Sequence, residues 1–86
     1  MSGQAMITVW SANVEHVVRG ETVVEYGGYF DTEDAARQWV VRTAVDLLEP
    51  LGAVKALSVP ADDKDGEELE LGYAEWSHRG WEEHEC

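Results

Sequence analysis

An 86-residue chain with a hydrophobic share of 44% and four tryptophans holds enough apolar surface for one core and too little for two, so a single folded domain is expected. The 18 acidic residues outnumber 6 basic ones, giving a formal charge of -12 that excludes direct binding to DNA or RNA and attraction to anionic membranes. No apolar run approaches the roughly 20 residues that span a bilayer, no signal-type apolar core follows a basic N-terminus, and the only cysteine is Cys86, so a soluble cytoplasmic protein without an intramolecular disulfide is expected.

Residues 6–18 are rich in β-branched and aromatic types, contain no proline and read as a strand. Apolar parity shifts around Ser11 to Asn13, as at a β-bulge. Gly20, at the first central position of a two-residue type II′ turn, predicts a hairpin that sets Val18 opposite Val23, Val17 opposite Val24 and His16 opposite Glu25. The second strand is expected to reach Phe30, with Gly27-Gly28 a kink or a point of close approach. Asp31 or Thr32 caps a helix predicted to run to about Glu49 and to stop at Pro50. Its stripe is Ala36, Val40, Ala44, Leu47, Leu48 and Leu51, which Val41 and Val45 widen.

Residues 54–59 read as a third strand and residues 67–77 as a fourth, in which Leu69, Leu71 and Tyr73 alternate with Glu68, Glu70 and Gly72. The expected fold is therefore a two-layer α+β domain over residues 1–77 in ββαββ order, a four-stranded antiparallel sheet with one helix on one face. Residues 78–86 read as an acidic polar tail, anchored by Trp81.

The charge is concentrated at this end. Residues 62–86 carry ten acids (Asp62, Asp63, Asp65, Glu67, Glu68, Glu70, Glu75, Glu82, Glu83 and Glu85) against Lys64 and Arg79. A one-sided excess makes a directional field that attracts a basic partner.

Catalytic and cofactor patterns are sparse. His78, His84 and Cys86 lack the paired short spacings of a zinc site, so the tail reads as solvated acid and no metal is expected. Ser11 near His16, and Ser77 beside His78, have no nucleophile elbow or orienting third group, and no glycine-rich phosphate loop is present. The expectation is a non-enzyme without a cofactor. Trp10, Tyr26, Tyr29 and Tyr73 could stack bases but read as core residues.

What remains is the acidic surface. Glu68 and Glu70, two apart on a strand, lie about 6.8 Å apart on one face, and carboxylates held at phosphate-like spacing can enter a groove evolved for nucleic acid. A small, strongly acidic ββαββ chain of this kind resembles the inhibitors that phages and mobile elements direct against host defence enzymes, anti-CRISPR proteins and other nucleic-acid mimics among them. The resemblance implies a stoichiometric inhibitor acting in the host cytoplasm on the basic cleft of a nucleic-acid-binding or nuclease complex. Its contact residues are expected to be Asp62, Asp63, Asp65, Glu67, Glu68 and Glu70, with Glu75 and Glu82 as outer members. A second reading is an immunity- or antitoxin-like binder of a basic toxin, anchored by Tyr73, Trp76 and Trp81 with acids at the rim. A third is a homodimeric or larger accessory assembly built on Val41, Val45 or an open sheet edge.

Overall fold

The proline-free, β-branched run Met6–Val18 forms β1, and Glu21–Phe30 returns beside it as β2. The structure, a computed structural model, describes residues 5–61 and 68–85. Helix α1 is Glu33–Ala44, followed by β3 (Leu51–Pro60), β4 (Leu69–Ser77) and β5 (Gly80–Glu85). Every pairing is antiparallel, and the order across the sheet is β2-β1-β3-β4-β5. The predicted α+β class with one helix on one face holds. The predicted four strands become five, because the segment read as a tail contains β5. That strand pairs on one side only, so a polar sequence with a single anchoring tryptophan suffices to form it, and hydropathy alone does not reveal it.

The core lies between α1 and the middle of the sheet. Ala12 and Val14 of β1, Val54 of β3 and Trp76 of β4 pack against Ala36, Val40 and Ala44 of the helix, with Trp10, Phe30, Trp39, Leu47 and Trp81 around them. Fully burying a valine such as Val14 or Val40 contributes about 1.5–3 kcal/mol, so this small-residue interface is the main source of cohesion. Gly52 sets the helix-to-sheet distance: a Cβ there would lie 2.2 Å from Val40 Cγ1.

The hairpin register is shifted from the predicted one. Arg19 (φ 52°) and Gly20 (φ 82°) are the two central residues, both left-handed, which makes a type I′ turn and sets Val18 opposite Glu21 and His16 opposite Val23. The two registers differ by two residues along β2 and so leave each side chain on the same face. The observed one follows the two left-handed turn residues, and beyond the extra residue Gly27 it sets Phe30 opposite Trp10 and under the helix, its ring centroid 6.3 Å from that of Trp39. The valine pairs that favoured the other register are worth only about 0.2–1 kcal/mol each. His16 consequently meets Glu25 diagonally, Nε2 to Oε1 3.4 Å, rather than directly across.

Strand β1 keeps its alternation through Ser11–Asn13, the place of the predicted bulge; the bulge at this level belongs to β2 instead, where Ala12 faces Gly28, Asn13 faces Tyr26, and Gly27 is the unpaired residue. Gly27 also lies against the Trp39 ring, which a Cβ would approach to 2.7 Å.

Thr32 caps α1 by accepting from the Ala35 amide at 3.1 Å. The helix ends at Ala44, short of the predicted Glu49. Beyond Val45 the chain tightens, with Leu47 N donating to Ala44 O at 2.9 Å, and then runs alongside β1, where the Val17 amide donates to Leu48 O at 3.2 Å. Backbone bonding to β1 and the left-handed Glu49 (φ 49°) replace the last helical turn, so the chain can enter β3 at once. Leu48 and Val45 are left exposed as a result.

Candidate interaction surface

Strand alternation together with an extra residue, Leu71, in β4 divides the predicted contact residues between two faces, and this bulge breaks the predicted apolar row of Leu69, Leu71 and Tyr73, leaving both leucines exposed. Trp76 and Trp81 face each other on β4 and β5 on the helix side, where Trp76 is 9% exposed and part of the core. Trp81 is half-buried beneath the Arg37 guanidinium, whose carbon is 4.6 Å from the ring centroid. Arg37 in turn donates to both oxygens of Glu83 (2.8 and 2.6 Å) and to Glu33 (2.9 Å), tying helix to edge strand. The hydrogen bonds from Arg37 hold the Glu83 carboxyl below the ordinary carboxylate range, and those from Glu83 raise the Arg37 guanidinium further above its already high value.

Glu70, Glu75 and Glu82 point the other way, onto the face that carries no helix, and Glu68 joins them at the start of β4. Glu75 and Glu82 are direct cross-strand partners, a like-charge pair that costs stability by itself. His84 lies between them, Nε2 3.0 Å from Glu75 and 3.9 Å from Glu82, and its ring stacks on Tyr73 at 4.6 Å and 11°. Lys55 Nζ is 3.8 Å from Glu70. The structure thus brings Glu68, Glu70, Glu75 and Glu82 to one face and separates them from Trp76 and Trp81. Asp62, Asp63, Asp65 and Glu67 lie outside the described residues.

The open face is concave. Tyr29 on β2 donates to Glu68 Oε1 at 2.5 Å although β1 and β3 lie between their strands, so the twisted sheet curls its two sides toward each other. The hollow measures about 600 Å³ and is lined by Asn13, Tyr26, Tyr29, Lys55, Glu68 and Glu70 among others, with Leu57 on its floor.

Tyr26 and Tyr29 are corrections to the sequence reading, which made them core residues. Tyr26 is 80% exposed and Tyr29 also faces solvent. Three positions apart on a regular strand they would face opposite ways, but the extra residue Gly27 turns both onto the open face, opposite Asn13 and Ser11. The Gly-Gly pair between two tyrosines was the available signal. His84 and Lys55 had none, since only the β3–β4–β5 register places them among the acids.

The catalytic pairings weighed from sequence find these positions: Ser11 faces the open side and His16 is buried on the helix side, while Ser77 Oγ accepts from the Arg79 amide at 3.2 Å and His78 edges against Trp76. Among the described residues, no group of three or more His, Cys, Asp or Glu side chains is arranged to hold a metal ion, and no helix is long and apolar enough to cross a membrane.

No protein-family model matches the chain, and no curated protein or solved structure matches it either.

Proposed function

We propose that this chain is a stoichiometric protein-binding inhibitor, a nucleic-acid mimic whose acidic open face enters the basic cleft of a nucleic-acid-binding or nuclease complex in the cytoplasm, as phage anti-defence proteins such as anti-CRISPR inhibitors do. The observation that carries this reading is the placement of Glu68, Glu70, Glu75 and Glu82 on the one sheet face the helix leaves uncovered. Strand backbone holds these carboxylates at fixed spacing, so their field is retained on docking rather than lost to side-chain rearrangement, and a field of one sign speeds encounter with a basic cleft. Glu75 and Glu82, cross-strand partners with His84 Nε2 3.0 and 3.9 Å away, add two carboxylates to the same one-signed field.

The test is affinity capture from cells of the source organism at low salt, comparing the natural chain with the Glu68→Lys/Glu70→Lys/Glu75→Lys variant, followed by competition with DNA and RNA. The expected result is a basic nucleic-acid-binding protein that the variant fails to retain and that releases its nucleic acid as the inhibitor binds. A partner retained equally by the variant, or one that holds nucleic acid and this chain together, overturns the proposal.

A further inference from the structure

We infer that the hollow of the open face is a receptor for an arginine side chain of the partner, an inference that rests on the acidic-face reading and names the group recognised there. Its walls combine two aromatic rings, Tyr26 and Tyr29, with two carboxylates, Glu68 and Glu70, around a space of about 600 Å³. That is the volume of a small-ligand pocket and admits a guanidinium with its apolar stem. Leu57 supplies an apolar floor for the stem, and the carboxylates lie at the rim where a charged head would come to rest.

The protein already contains one guanidinium held in this way. Arg37 lies 4.6 Å from the Trp81 ring centroid while donating from both terminal nitrogens to Glu83, so an aromatic face covers its flat surface and a carboxylate takes the ends of its fork. The open face offers the same two components from Tyr26, Tyr29, Glu68 and Glu70, and among the described residues the only cation lining it is Lys55, 3.8 Å from Glu70. An ammonium satisfies the charge but has no plane to lay against a ring, so the aromatic walls select arginine over lysine.

The experiment is an NMR titration of the purified full chain at low salt with hexa-arginine and hexa-lysine peptides, equal in charge, following the Tyr26 and Tyr29 ring resonances. Both peptides are expected to bind with salt-sensitive affinity, hexa-arginine about threefold or more tighter, in keeping with a cation–π contact at an accessible site. Tyr26→Ala is expected to abolish the preference while leaving hexa-lysine affinity unchanged. Tyr26 is 80% exposed, so its truncation spares the fold, which the amide spectrum checks. Equal affinities, or a preference that survives Tyr26→Ala, overturn the arginine receptor while leaving the acidic-face reading intact. Failure of both peptides to bind overturns both.

Discussion

Gly52 and Arg19 show how single backbone positions govern this fold. Adding a methyl at Gly52 meets Val40 at 2.2 Å on the helix, and neither side of that contact is a flexible chain end that could swing away. Gly52→Ala is therefore expected to destabilise the domain by about 1–3 kcal/mol through overpacking, read as a lower urea midpoint. An unchanged midpoint would show that α1 can lift without loss. Arg19 holds φ 52° in a turn position that favours asparagine or glycine. Arg19→Asn should stabilise the hairpin by roughly 0.5 kcal/mol, and a loss of stability would mean that the Arg19 side chain contributes more than its backbone strain costs.

Among the elements, β5 is the one whose presence depends most on contacts distant in sequence. It is an edge strand secured by pairing to β4, by Trp81 against the core and by the Arg37 clamp on Glu83. Trp81→Ala is expected to cost about 2 kcal/mol, less than a fully buried tryptophan, and to lower Tm by on the order of 10 °C in calorimetry. A shift below a degree or two would mean that β5 holds by backbone pairing alone. The clamp also sets a pH dependence. Because the folded Glu83 carboxyl titrates below its unfolded value, its contribution is fully present above the unfolded pKa and is lost as pH falls through the folded one. The pair is solvent-exposed, so its worth is about 1 kcal/mol or less. Glu83→Gln should therefore be less stable than the natural chain at neutral pH and converge on it in acid. A stability gap that widens on acidification contradicts this assignment.

For the molecule as a whole, a formal charge of -12 on 86 residues makes self-repulsion a global term. The described ion pairs are few and largely solvent-facing, so screening removes more repulsion than attraction. Raising NaCl from about 0.01 to 0.15 M, which shortens the Debye length from about 30 to 8 Å, is expected to raise Tm. A fall in Tm would place the larger share of the electrostatic energy in pairs such as Arg37–Glu83.

Local chemistry by itself determined much of this protein. A proline-free β-branched run specified β1, a short apolar run closed by Pro60 marked β3, alternating leucines and acids marked the start of β4, and Thr32 with the acids after it specified the start of α1. The opposed directions of Glu70 and Trp76 were not legible, because residues six apart on a regular strand share a face and only the extra residue Leu71 in β4 separates them. Tertiary structure decided the rest. The side of the sheet that Phe30 takes turned on the extra residue Gly27 against Trp39, the end of α1 on the Val17–Leu48 bond, and the existence of β5 on a partner strand that a polar sequence cannot announce. The hollow joins Tyr29 to Glu68 across two intervening strands. Those residues are 39 apart in the chain, and sheet twist, a property of all the strands together, brings them within hydrogen-bonding distance.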